Sequence, residues 1–156
     1  MAEATRPAVL TGGCQCGAVR YALYAEPSSA DICHCRMCQR AVGNLFMAVA
    51  GVALDRFAWT SGEPALFRSS SAAERGFCRQ CGTPLTFRYL ANDTINVTSG
   101  SLDEPAKARP TIQHGIESRV PWWQDLIDLP ALTTADDPPP GGLDALTSYQ
   151  HRDSDR

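Results

Sequence analysis

Seven cysteines in three tight groups constrain this chain more than any other feature: Cys14-x-Cys16, Cys33-x-Cys35-x-x-Cys38 and Cys78-x-x-Cys81. Seven is odd, so any disulfide scheme leaves a thiol over. With no basic start and no apolar run at the N-terminus, the expected location is cytoplasmic. There thiols stay reduced, and close-set cysteines serve as metal ligands or catalysts. Structural zinc takes four Cys or His ligands in a tetrahedron, whereas catalytic zinc takes three and keeps one position open.

The three groups divide naturally as 2 + 2 + 3. Cys14 and Cys16 lead into a predicted strand, where residues two apart share a face, so both sulfurs can reach one ion. The segment "FCRQCGTPL" is a C-x-x-C turn followed by Gly82, with the form of a zinc knuckle. Two ligands from each pair complete a four-thiolate site. Cys33, Cys35 and Cys38 then remain for a second zinc, placed by an extended entry and a short helical turn. On this reading the fourth position of that ion is for water or a substrate atom. Three alternatives stay open: a partition mixing Cys14 and Cys16 with the trio, closure of the trio by His34 or His114, and three merely buried thiols. His34 is the poorer closing ligand, because adjacent residues rarely aim at one ion.

A length of 156 residues suits one domain. The expected folded region runs from about residue 9 to 132, and the Pro-, Gly-, Asp- and Ser-rich residues 133–156 read as a flexible or loosely docked tail. β-type runs at 18–23, 44–51, 56–62, 65–70, 84–90 and 94–100 are separated by glycines, including Gly12, Gly13, Gly43, Gly62, Gly82 and Gly100. Helical periodicity is confined to one or two turns at 36–41 and 122–126. The fold class is therefore mainly β, with antiparallel sheets and few short helices. A net charge of −3 and a pI near 5.5 leave no electrostatic footprint for nucleic acid. No apolar run approaches the ~18 residues of a membrane span.

The segments "GGCQCGAVRY", "CHCRMCQRAVGN", "RGFCRQCGTPL" and "INVTSGSLDEP" occur in this order, followed by "HGIESRVPWW". Together they resemble the glutathione-dependent formaldehyde-activating enzyme family, which also includes centromere protein V. The resemblance covers about residues 12–126 and all seven cysteines. It implies a β-tent fold of two zinc-stapled sheets, and two zinc ions per chain. Cys14, Cys16, Cys78 and Cys81 match the family's structural zinc ligands, and Cys33, Cys35 and Cys38 its second, labile site. The activity it implies is that of a carbon–sulfur lyase, condensing formaldehyde with glutathione to S-hydroxymethylglutathione.

The expected partners are thus a small thiol and an aldehyde. Arg36, Arg40, Arg75 and Arg79 flank the cysteine groups and are candidates for pairing with glutathione carboxylates, or for lowering nearby thiolate pKa values. His114 is a candidate base or substrate-binding residue. Three thiolates weaken the Lewis acidity of a zinc ion, which favours capture of a soft thiol over activation of water. Rival readings are a non-catalytic zinc scaffold for a protein partner and a metal-free thiol redox protein.

Overall fold

The computed structural model describes residues 6–152. Among these residues ten strands and one α-helix follow one another in chain order. They are β1 (Leu10–Gly13), β2 (Arg20–Leu23), β3 (Ser29–Cys33), α1 (Arg36–Val42), β4 (Met47–Ala53) and β5 (Phe57–Ser61), then β6 (Ala65–Arg68), β7 (Ala73–Phe77), β8 (Pro84–Tyr89), β9 (Thr94–Thr98) and β10 (Ile112–His114). They form a three-stranded sheet, β1-β2-β5, and a seven-stranded sheet, β10-β3-β4-β9-β8-β7-β6. All pairings are antiparallel except β10 with β3, which makes the larger sheet mixed. The mainly β expectation holds, with this one departure from all-antiparallel pairing.

Alternation along the strands decides which side chains go inward. Ala50 and Val52 of β4, Leu85 of β8, and Ile95 and Val97 of β9 turn one way. They pack with Leu10, Tyr21 and Leu23 of the smaller sheet into the main core, joined by the half-buried rings of Phe57 and Trp59. Met47 and Val49 turn the other way and form a small second cluster with Cys38 of α1, flanked by Cys33, Cys35 and Phe87. The larger sheet is therefore buried on one face by its partner sheet and roofed on the other by a short helix.

Four strands fall outside the expected runs, each for a local reason. Half of β1 is glycine, β7 reads Ala-Glu-Arg-Gly-Phe, β3 carries Asp31 and Cys33, and β10 is three exposed residues. Such composition has low β-propensity, and pairing partners distant in sequence make these strands. Gly12 and Gly13 are accordingly strand residues rather than punctuation. A Cβ on Gly12 would stand 2.5 Å from the Ser101 carbonyl oxygen and collide with the Tyr21 hydroxyl. The run expected at 94–100 stops at Thr98, where Ser99–Ser101 forms a 3-10 turn.

The helix expected at 36–41 is α1, closed by Gly43 in the left-handed region (φ 62°) with its N–H on the Gln39 carbonyl. The second expected helix is a 3-10 segment, Trp123–Asp128. From there to residue 152 no described residue is in a strand. The end of this segment returns to the first hairpin, where the His151 N–H donates to the Gln15 carbonyl at 2.7 Å. Residues 153–156 of the expected tail lie outside the described residues.

Candidate metal centres and the cavity above the larger sheet

The loop joining β1 to β2 carries Cys14 and Cys16. This corrects the expectation of a strand-borne pair: the two sulfurs converge because the chain turns, with the Cys14 N–H on the Val19 carbonyl and the Gly17 N–H on the Cys14 carbonyl. Cys78 and Cys81 lie on the turn between β7 and β8, where Gly82 adopts φ 78° and donates to the Cys78 carbonyl at 2.9 Å. The four sulfurs lie within 4.8 Å of one another. Cys14 to Cys16 is 3.6 Å and Cys16 to Cys78 is 3.8 Å. A zinc tetrahedron with Zn–S of about 2.3 Å has edges of about 3.8 Å, so the spacing fits that ion.

Titration of these thiols makes the same point from chemistry. Burial opposes ionisation of Cys81, yet the Thr83 hydroxyl and N–H and the Cys16 N–H outweigh it and pull the thiol down to about 6. Cys16 goes the opposite way, up to about 12: the Ala18 N–H favours its thiolate, but burial and the sulfurs of Cys14, Cys81 and Cys78 prevail. Cys81 thus favours its thiolate, while Cys16 and Cys78 resist ionising beside the other sulfurs. Four thiolates this close require a compensating cation. Donors are already aimed at the sulfurs, with the Val19 N–H 3.2 Å from the Cys14 sulfur and the Thr83 hydroxyl oxygen 3.2 Å from that of Cys81.

The trio is built differently. Cys33 ends β3, Cys35 is the N-cap of α1 with its sulfur accepting from the Cys38 N–H at 3.4 Å, and Cys38 lies one turn in. The extended entry and helical turn thus bring three sulfurs within 4.8 Å of one another. No fourth cysteine, histidine or carboxylate joins them among the described residues. Burial raises Cys38 to about 12 against the opposing effect of Arg75. Burial opposes ionisation of Cys35 as well, but N–H and S–H donors from Cys38 and Cys33 lower it overall. Three crowded thiols of which one ionises first suit a divalent cation, as the four do.

Neither ring nitrogen of His34 joins the three sulfurs. The residue is fully buried, with Nε2 2.8 Å from Gln113 Oε1 and its ring edge-on to Trp123 at 4.7 Å. Gln39 clamps the same backbone, donating to the carbonyls of His34 at 2.8 Å and Ser118 at 3.1 Å. His114 does come near: parallel pairing sets it opposite Cys33, and it lines the same cavity as the trio, although its ring nitrogens are not part of the sulfur cluster.

That cavity, about 330 Å³, lies on the face of the larger sheet away from the main core. Of the flanking arginines, Arg75 enters it. Its guanidinium stacks over Phe87 at 4.8 Å and donates to the sulfurs of Met47 (3.4 Å) and Cys38 (3.5 Å). Arg36 is exposed and bonds Gln39 Oε1, Arg40 is exposed along the edge of α1, and Arg79 is exposed on the knuckle turn. Asp31, Met37 and Asn96 line the cavity without having been singled out in the sequence. For Asp31 a signal existed, since it lies two residues before Cys33 on one strand and shares its face.

Comparison with known proteins agrees with this geometry. Residues 9–118 match the family model described as glutathione-dependent formaldehyde-activating enzyme. The chain belongs to this family. An uncharacterized lyase of Schizosaccharomyces pombe is 33% identical over 78 residues, covering 50% of this chain and 56% of the relative. The chain thus spans little more than half the length of that curated relative. A crystal structure of a Rhodobacter sphaeroides protein matches with a TM-score of 0.54 at 24% identity, covering 66% of this chain and 98% of that one. At that identity the likeness is one of fold. Both cysteine clusters lie within the stretch that matches the formaldehyde-activating family. No helix among the described residues is long and apolar enough to cross a membrane.

Proposed function

We propose that this member of the formaldehyde-activating family is a zinc-dependent carbon–sulfur lyase acting on adducts of a small thiol and an aldehyde, glutathione and formaldehyde being the first pair to test. The observation that carries the reading is the contrast between two cysteine clusters: four sulfurs close one, and three sulfurs open onto a cavity in the other. Cys14, Cys16, Cys78 and Cys81 hold the structural zinc. Cys33, Cys35 and Cys38 hold the second, and a zinc ion there supplies a soft position that favours the thiolate form of a bound thiol.

In the forward direction the thiol sulfur bonds to the carbonyl carbon and the thiol proton ends on the former carbonyl oxygen. The reverse step breaks that carbon–sulfur bond. The chain's own residues orient and shield the reactants. Arg75 holds the Cys38 sulfur from the far wall, and the buried Met47 gives that side an apolar surface. Exposed at the rim, His114 is the residue we assign to carrying the proton to and from solvent.

The test is interconversion of free and S-hydroxymethyl glutathione followed by exchange NMR, because the uncatalysed reaction is itself appreciable. Zinc-loaded wild type is expected to raise the exchange rate above background, and Cys35→Ala to return it there. Equal rates for the two proteins, as a mere scaffold would give, refute the assignment.

A further inference from the structure

A second cavity, of about 640 Å³, opens beside the one at the trio, and Met37, Met47, Ser69 and Arg75 line both. The two are therefore lobes of one cleft with Arg75 at the junction. The larger lobe is of the size that takes small organic molecules. Its walls are apolar: Met37, Ala41 and Val42 come from α1, Met47 from β4, and Phe67 and Phe77 from β6 and β7. Met37 and Phe67 stand on different elements of the rim with 63% and 62% of their surface exposed. Apolar side chains converging on an open lobe leave unburied surface that a ligand of like character would cover. Methionine, with its flexible thioether, adapts to varied apolar shapes.

Polar groups in the larger lobe are few and one-sided. Among the described residues Arg40 and Arg75 are its charged residues, and no carboxylate lines it. A tripeptide thiol carries an ammonium group as well as two carboxylates, and among the described residues that ammonium would meet two arginines and no carboxylate in this lobe, with only the hydroxyl residues Ser69, Thr86 and Thr98 as neutral polar neighbours. From this wall chemistry, and resting on the reading of the trio as the reactive site, we infer that the physiological adduct carries an apolar arm, aryl or alkyl. The arm fills the larger lobe while the adduct sulfur sits at the trio. The arm can belong to the thiol or to the aldehyde, and the cleft asks only that it lead away from the sulfur past Arg75. Chemistry is otherwise unchanged: the S–C bond forms, and the thiol proton passes to the carbonyl oxygen.

A matched pair of thiols tests this on the zinc-loaded full chain. 2-Phenylethanethiol and 2-mercaptoethanol share a two-carbon linker and differ by a phenyl ring in place of a hydroxyl. Calorimetry should show about ten- to hundredfold tighter binding of the phenyl thiol, the effect of burying one ring. Ala41 is exposed on α1 and lines the larger lobe alone of the two. Ala41→Trp should fill that lobe and reduce the preference to about twofold or less. A second arm compares exchange rates of the glutathione adducts of phenylacetaldehyde and acetaldehyde, and shows whether the aldehyde bears the ring. Equal treatment of ring and no ring in both arms, with glutathione–formaldehyde exchange still accelerated, overturns the apolar arm and leaves the reactive site standing. A ring preference that survives Ala41→Trp overturns it too. If no thiol binds and Cys35→Ala exchanges like wild type, the inference falls together with the reading beneath it.

Discussion

Arg75 on β7 donates from Nη2 to the sulfur of Cys38 on α1, 3.5 Å away, across residues that the sequence separates by 37 positions. Its Nη1 reaches the Met47 sulfur on β4, and its carbon centre lies over the Phe87 ring on β8. One guanidinium thus links the helix that carries Cys38 to three strands of the sheet beneath. Residues that hold a ligand's donor atom from behind commonly change metal affinity or activity by 10–100-fold when lost.

Arg75→Met should therefore weaken zinc at the trio by about tenfold or more while leaving the melting curve close to that of wild type. Competition with a chromophoric chelator reads the affinity. Arg75→Lys should recover only part of it, because an ammonium lacks the planar fork that reaches two sulfurs and stacks on a ring. Unchanged affinity in both variants would show that the contact is incidental.

The two cysteine clusters should separate on mutation. Structural zinc in finger peptides is worth an apparent ~10–16 kcal/mol, comparable with the ~5–15 kcal/mol stability of a whole domain. Cys81→Ser should yield insoluble or unfolded protein. Cys35→Ala should lose one zinc per chain and keep the fold, as elemental analysis and circular dichroism would record. Collapse of both variants would make the trio structural.

Asp103 provides a pH prediction. Burial would raise its pKa, but the Arg20 guanidinium and the Thr11 hydroxyl, 2.6 Å from Oδ2, hold the carboxyl below the ordinary value. A folded pKa below the unfolded one contributes stability above the unfolded value of about 3.9, and that stability is lost as pH falls through the folded pKa. Asp103→Asn should cost about 1.5–3 kcal/mol at pH 7, the worth of hydrogen bonds to a charged group. The gap from wild type should shrink below about pH 4 and close once Asp103 is protonated in both states. Urea midpoints at pH 7, 5, 4 and 3 measure it, and a gap independent of pH would exclude the carboxylate as its source.

Gly12→Ala probes the close approach of β1. Its Cβ would meet the Tyr21 hydroxyl, itself bonded to Ser101 Oγ at 2.7 Å, and the Ser101 carbonyl. Backbone and a fully buried ring cannot both yield easily, so a loss of about 1–3 kcal/mol is expected from denaturant unfolding. Wild-type stability in this variant would mean that the hairpin moves freely.

What could be read from the sequence is what adjacent residues impose on one another. Spacings of two and three bring cysteine sulfurs together whatever surrounds them, so the two-, three- and two-member groups and their turns at Gly82 and Gly43 were legible. β-branched and aromatic runs likewise marked six of the ten strands. Long-range pairing decided the rest. Strands as poor in β-formers as Leu10–Gly13 and Ala73–Phe77 exist because their neighbours offer hydrogen bonds to their backbones, a condition no local window records. Parallel pairing of β10 with β3 brings His114 beside Cys33 and sets Gln113 within hydrogen-bond reach of His34. The same assembly selects Arg75 among four flanking arginines and opens an apolar lobe between α1, β6 and β7. Those features arise from surfaces that meet only after folding, where packing and hydrogen bonding across the chain outweigh the preferences of any one segment.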